Sequence, residues 1–563
     1  MWASLGEEVD LFVIGGGING AGIARDAAQR GLKVAVVEMG DVASGTSSRS
    51  SKLVHGGVRY LEMLEFGLVF ESVSERRILL DLAPHLVNPL GFLFPVFKSS
   101  RRSLTAISTG LWLYEGLALF RSPKRPRKLK PAALAKEEPT LNQVDLVGAP
   151  LYYDCATDDA RLTLENVVAA VQDGACFVTY CKATGFVYDD EGQITAVHVR
   201  DELSGESKTV KAKVVVNATG PWTDKIVEMN PSLETKTMLR PTKGVHFVVK
   251  REVLPVTHAV VCFHPVDTRV LFALPWGDCT YVGTTDTDYS GDPAKVAANG
   301  DDVDYLIAAA KAYFPDYPIT YDDIHCTWAG LRPLMSPQGD DGVDASSVSR
   351  EHFLDVGSDG LITIAGGKLT TYRRMCEEVV DTVVKVLRMQ AKLPDTVLRK
   401  GFTEESLLPG AIGWPANDDV NEVAAKVAKA SEGLLSDDTC LLLANSYGMR
   451  AFEIAKMVVG EPQLGERLLA HRPEIMAQVD FGVREELAST VLDIIKQRTQ
   501  IFYRDDNQGL DAVPKVADRM AALLRWSAEE RAQMIAHYEA DVALNRQWRE
   551  DVGAAMPTTT EGA

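Results

Sequence analysis

Hydrophobic and polar positions change rhythm several times along this chain. Residues 9–14 (VDLFVI) are an almost unbroken apolar run, which predicts a buried strand. Residues 21–30 repeat apolar positions at helical spacing, and 34–37 form a second buried run. Residues 62–86 read as a helix with Glu71, Glu75, Arg76 and Arg77 on its polar side, and 158–174 as another with Asp158 near its start. Short alternating runs follow (CFVTYC, ATGFVYD, ITAVHVRD, KTVKAKVVVNATG), and from about 236 to 330 the segments HFVV, AVVCF, RVLFALPW and CTYVGTTD predict a β-rich region. Residues 360–365 are again a buried run, and Met375, Val379, Val383 and Val386 then recur on one helical face. From about 401 to 550 helical periodicity dominates, and the closing MPTTTEGA is expected to fray.

This order predicts an α/β fold in a chain whose 563 residues are too many for one compact domain. The expected parts are a discontinuous Rossmann-like cofactor domain (1–60, 150–235 and 322–390), a substrate or cap region (61–149 and 236–321) and an α-helical C-terminal domain (391–563). The chemistry begins between the first two strands. Gly15, Gly17 and Gly20 hold the first, third and sixth places of GGGING, followed by a helix, a strand and Glu38. Such a turn lets backbone approach a pyrophosphate, the helix N-terminus supplies amides, and the acidic residue accepts from a ribose hydroxyl. Next comes the hydroxyl- and glycine-rich stretch GTSSRSSKLVHGGVRYLE, 45–62, where a nicotinamide enzyme would enter another plain βα unit. Leaving the carboxyl end of a strand, it is placed to lie along a bound cofactor and donate to its phosphates and ring. NATGPW at 217–222 and GGKLTT at 366–371 are two further small-residue turns of the same kind.

These motifs, with TKGVHFVV at 242–249, GTTDTDY at 283–289, AGLRPL at 329–334 and AGGKLTTYR at 365–373, resemble the FAD-dependent, respiratory glycerol-3-phosphate dehydrogenases. The likeness spans about residues 9–400 and is looser beyond. It implies FAD as cofactor, oxidation of sn-glycerol 3-phosphate to dihydroxyacetone phosphate by hydride transfer, and a membrane quinone as acceptor. The expected cofactor residues are Gly15, Gly17, Gly20, Glu38, Thr46, Ser47, Ser50, Lys52, Leu53, His55, Gly220, Gly367, Lys368, Leu369 and Thr370. A dianionic phosphate calls for convergent cations, and Arg59, Arg332, Arg350 and Lys368, with Tyr60, are the expected substrate residues. His246, Arg332 and Lys368 are the expected catalytic set. His246 is the candidate proton acceptor; it lies in an apolar strand, pointing away from the face shared by Val245, Phe247 and Val249, and a histidine near its ordinary pKa suits base work. Two rivals stay open: a glycerol-3-phosphate oxidase using O2, and an amine or amino-acid oxidase of the same flavin fold. The related oxidases commonly carry an insertion before the last glycine motif, and the short span from Arg332 to Lys368 leans toward the dehydrogenase.

Charge and composition narrow the partners. A net charge of −19 and a pI near 5.1 argue against nucleic acid. The eight cysteines are scattered without a CxxC or zinc spacing, so reduced thiols and no metal are expected. No secretory signal, transit peptide or spanning run is legible. One basic stretch stands out: Lys98, Arg101 and Arg102 precede the segment 104–120, and Arg121, Lys124, Arg125, Arg127, Lys128 and Lys130 follow it. With Trp112, Tyr114 and Phe120 this suits a helix lying in a lipid interface. The expected location is therefore cytoplasmic, peripherally attached to the inner face of a bacterial cell membrane, with a homodimer left open.

Overall fold

The structure, a computed structural model, describes residues 2–62, 64–230, 238–336, 352–393, 396–397 and 400–555. Among them, two sheets and a helical tail carry the architecture. The first sheet runs His352–Val356, Ile362–Gly366, Ser207–Asn217, Glu8–Ile14, Val34–Val37, Cys176–Val178, and the four pairings from Ile362–Gly366 to Cys176–Val178 are parallel. Alternation along Glu8–Ile14 fills two cores. Leu11 and Val13 pack with Ala24 of the helix Ile18–Gln29, with Val167 of Asp159–Gln172 and with Val379 of Tyr372–Met389; Phe12 and Ile14 face Val197 and Val215 on the other side. Both faces are covered, as a parallel sheet requires.

The second sheet is eleven-stranded, and Leu239–Lys250 lies near one end of it. That strand pairs with Cys279–Gly283 on one side and with Ile324–Met335 on the other, where His246 stands opposite Trp328. Ile324–Met335, expected in the cofactor unit, thus belongs to the second sheet. So do Leu53–Val54 and Leu146–Ala156. Val245, Phe247 and Val249 bury against Val303, Leu306 and Ala310 of a helix, Gly300–Tyr313, that the β-rich reading did not anticipate. Its Asn299–Asp302 capping box was the sequence signal for it.

The expected 62–86 helix is two helices, Arg59–Glu62 and Phe66–Leu82. Glu75 and Arg76 are not on a polar face but buried: Glu75 accepts from Arg373 at 2.5 and 2.9 Å, and Arg76 pairs with Asp154. The helical tail shares one continuous core with the second sheet, where Tyr503 packs on Trp328 and Trp276.

Candidate active site

The glycine turn closes only because side chains are missing. Gly15 has φ 111°, and a Cβ there would lie 2.6 Å from the Ala218 carbonyl oxygen. One on Gly20 would lie 1.8 Å from the Gly15 oxygen. At Gly17, which caps Ile18–Gln29, the nearest neighbour is Ser47 Oγ at 3.0 Å, and the remaining space is open. Glu38, at the tip of Val34–Val37, accepts from Gly16 N at 2.6 Å and Gly40 N at 2.9 Å, and burial pushes its carboxyl above the ordinary range. Across the cleft Gly367 has φ 77°, and a Cβ there would meet Met375 Sδ at 2.4 Å. Gly15, Gly17, Glu38, Thr46, Ser47, Ser50, Gly220, Gly367, Lys368 and Leu369 all border one elongated cavity of about 420 Å3. Backbone-lined, with a helix N-terminus at one end and an acidic side chain on the second strand, this cradle fits a dinucleotide. Gly20 works from behind it, by allowing the turn.

The loop after Glu38 is the stretch expected to donate to a cofactor. Its hydroxyls are largely committed to protein. Thr46 donates to the Leu331 carbonyl at 2.7 Å, Ser50 donates to Asp159 at 2.7 Å, and Ser47 Oγ accepts from Ile18 N at 2.9 Å. Lys52 points away from the cleft: it is buried, with φ 52°, and its Nζ donates to Asp159 Oδ1 at 2.6 Å beneath Trp276, Trp328 and Tyr503. Asp159 thus grips two residues of a segment whose Thr46, Ser47 and Ser50 line the cavity.

A second chamber of about 200 Å3 opens from the first, sharing Thr46, Ser50, Gly367, Lys368 and Leu369 with it. Leu53, His55, His246, Arg332 and Thr370 line it. His246 is buried, its Nε2 is 2.9 Å from Ser51 Oγ, and its ring stacks on Trp328 at 4.6 Å and 15°. Burial, with Arg332 and Lys52 adding repulsion, holds its pKa well below the ordinary histidine value. That corrects the expectation of an unperturbed pKa: the imidazole is neutral. Arg332 projects from the extended Ile324–Met335 and donates to Asp286 Oδ1 at 3.0 Å and to Thr284 Oγ1 at 3.2 Å. Lys368 Nζ lies 3.8 Å from the centre of the buried Tyr60 ring. His55 and Thr370 are joined by reciprocal 3.1 Å bonds between backbone and hydroxyl. The structure thus brings His246, Arg332 and Lys368 to one chamber. Arg59 opens the helix Arg59–Glu62, but its side chain is outside the description, and Arg350 lies outside the described residues.

Sequence reasoning missed Ser51, Thr284, Asp286, Trp328 and Asp159. Ser51 and Thr284 stood inside quoted motifs, but nothing in their types marked them apart from neighbouring hydroxyls. Asp159 carried one usable signal, its place at a helix start. Among the described residues no cluster could hold a metal ion.

Residues 10–373 match the FAD dependent oxidoreductase family model, and 402–531 match the C-terminal domain of alpha-glycerophosphate oxidase. The chain is 38% identical over 526 residues, 93% of its length and 92% of the relative's, to an aerobic glycerol-3-phosphate dehydrogenase of Staphylococcus saprophyticus. It is similar to the glycerol-3-phosphate dehydrogenase from Bacillus halodurans complexed with FAD, with 33% identity, a TM-score of 0.78 and 96% of each chain covered. A likeness in fold alone extends to the L-alpha-glycerophosphate oxidase from Mycoplasma pneumoniae, at 18% identity and a TM-score of 0.52, over 67% of this chain and 95% of that one.

Proposed function

The chain belongs to the FAD-dependent oxidoreductase family and carries, at 402–531, a match to the C-terminal domain of alpha-glycerophosphate oxidase, and on that premise we propose that it oxidises sn-glycerol 3-phosphate to dihydroxyacetone phosphate with a membrane quinone as final acceptor. The observation that carries this reading is the junction of the two cavities. A glycine-lined cradle opens at Gly367 and Lys368 into a chamber holding a neutral buried histidine and an anchored arginine. Bound FAD supplies the two-electron acceptor for the hydride on the substrate's C2. Gly15, Gly17, Glu38 and Gly367 are the residues that would hold it.

The chain's own side chains do the rest. His246 takes the C2 hydroxyl proton as the C–H bond breaks, so that the alcohol leaves as a ketone; Ser51 and Trp328 fix the ring's plane. Arg332 holds the phosphate, and its bonds to Asp286 and Thr284 set its direction before substrate arrives. Lys368, on the rim common to both cavities, adds positive charge beside the reacting carbon. A second reading, the O2-using oxidase, draws on the match of 402–531 to the alpha-glycerophosphate oxidase domain.

Reaching a quinone requires a membrane. Among the described residues no helix is long and apolar enough to cross one. We assign docking to Leu104–Leu117 and the turn after it, where Trp112, Leu113, Leu119 and Phe120 are each about half exposed (51, 49, 54 and 55%) beside exposed Arg121, Lys124 and Lys128. The structure removes Tyr114 and Glu115 from that face: both are buried, Tyr114 donating to Asp154 at 2.8 Å and Glu115 paired with Arg125. Lys98 and Arg127 are also ion-paired, with Asp145 and Glu137. The test is anaerobic addition of glycerol 3-phosphate to the purified protein. The flavin band should bleach with that substrate and persist with glycerol. A quinone added next should restore the band faster than oxygen; faster return with oxygen selects the oxidase, and no bleaching rejects both.

A further inference from the structure

The cofactor loop is held from two sides, and one of them lies in another domain. On the near side Asp159 binds Ser50 and Lys52. On the far side stands Asp493–Arg498 (DIIKQR), a π-helical turn of the C-terminal region closed by Thr499 N donating to the Ile494 carbonyl at 3.0 Å. Such turns are rare and concentrate at functional sites. Its first residue is locked: Asp493 accepts from Ser489 N at 2.7 Å, from Thr490 N at 2.9 Å and from the Tyr180 hydroxyl at 2.6 Å. Its last two reach the loop. Gln497 Nε2 donates to Ser48 Oγ at 3.3 Å, and Arg498 clasps Asp41 with bonds of 2.5 and 2.8 Å. Asp41 and Ser48 bracket Thr46 and Ser47, which line the cradle, and Ser47 caps the glycine-turn helix.

We infer that the C-terminal domain sets the geometry of the flavin site through this turn, with Gln497 and Arg498 as positioning residues although neither borders either cavity. The inference rests on the FAD reading above. Stability alone does not account for the arrangement. Arg498 and Asp41 are both buried, and a buried ion pair is often no better for folding than apolar residues of the same volume. Gln497 keeps its Oε1 buried without a hydrogen-bond partner among the described residues, a cost that leucine would remove. What the polar groups do supply is direction: they fix where Asp41 and Ser48 sit relative to the glycine turn.

The decisive variant is therefore Gln497→Leu in the full-length holoenzyme. A merely structural role predicts equal loss of apo and holo stability and unchanged flavin release. Positioning predicts apoprotein melting unchanged or raised, FAD release at least tenfold faster, and a shifted visible flavin band. Arg498→Met should speed release further, with Arg498→Lys between it and wild type. Should Arg498→Met fail to fold, Gln497→Leu still decides. Wild-type release and spectrum in Gln497→Leu would overturn the inference, as would equal loss of apo and holo stability. A wild-type protein that holds no FAD would instead overturn the cofactor assignment, and this inference with it.

Discussion

His246 and Arg332 share a chamber but are held for different work, so their substitutions should separate kinetically. Arg332 makes charge-assisted bonds whose loss costs about 1.5–3 kcal/mol each. Arg332→Ala should accordingly raise the glycerol 3-phosphate requirement 10- to 100-fold, on the order of that energy, while leaving the slow reaction of any unphosphorylated alcohol unaffected; equal losses on both substrates would reject the phosphate role. His246→Ala should chiefly slow flavin reduction at saturating substrate, and an unchanged rate would return this histidine to the packing of Trp328. The charge state adds a check. Burial and Arg332 both favour the neutral ring, so a titration of ring-labelled histidine by NMR in the free protein should place His246 below 6.5, and Arg332→Met should move it upward. A midpoint at or above 6.5 would contradict the burial argument. At Gly17 the prediction concerns space: the backbone geometry accepts a side chain, but a branched one fills the cradle, so Gly17→Val should fold and purify without FAD. Retention of stoichiometric flavin would misplace the pyrophosphate turn.

At the scale of elements, local patterns were readable and partnerships were not. The strand–turn–helix–strand around Gly15–Gly20 follows from apolar runs and glycine spacing, because those signals are local, and the structure forms it as Glu8–Ile14, Ile18–Gln29 and Val34–Val37. The membership of Ile324–Met335 in the second sheet was hidden: pairing with Leu239–Lys250 is a long-range choice that neither strand announces alone. Charges misled for the same reason. Arg76 and Arg125 read as exposed cations in sequence and Lys52 as a cofactor residue, yet each finds a carboxylate contributed by another element. This changes how the docking helix should be tested. Reversing Arg125 would set a carboxylate beside buried Glu115 and unsettle the fold. Arg121, Lys124 and Lys128 are exposed, and each cation near an anionic surface is worth about 1 kcal/mol. Arg121→Glu, Lys124→Glu and Lys128→Glu together should weaken binding to anionic vesicles strongly, high salt should do the same to the wild type, and dye-linked activity should survive. Vesicle binding equal to wild type would move docking elsewhere.

Across the whole molecule, the cofactor unit and the helical tail are joined by buried charge: Arg161 grips Glu486 at 2.8 and 2.9 Å, Arg450 bridges Glu486 at 2.9 Å and Glu165 at 3.3 Å, and Glu165 accepts from Gly410 N at 2.8 Å. His85 is wedged into this joint so closely that a Cβ on Gly410 would lie 2.4 Å from its Nε2 and one on Gly448 3.0 Å from its ring. Burial pushes its pKa down to about 4, with Glu165 opposing and Arg161 and Arg450 adding to the shift. The folded pKa is thus depressed below the unfolded value of 6.5. Stability from the neutral ring is complete above pH 6.5 and is lost as pH falls toward 4, because the unfolded chain then binds a proton that the fold excludes. At about 1.4 kcal/mol per pKa unit the loss reaches roughly 3 kcal/mol as pH falls to 4, enough to loosen a joint between domains. Calorimetry of the holoenzyme should show the melting temperature falling between pH 6.5 and 4. In His85→Leu, which cannot take up the proton, that fall should be shallower. The tail also anchors the cofactor loop through Arg498 and Asp41, so loosening the joint should release FAD in the same pH window. A fall as steep in His85→Leu as in the wild type would assign the acid sensitivity to other groups.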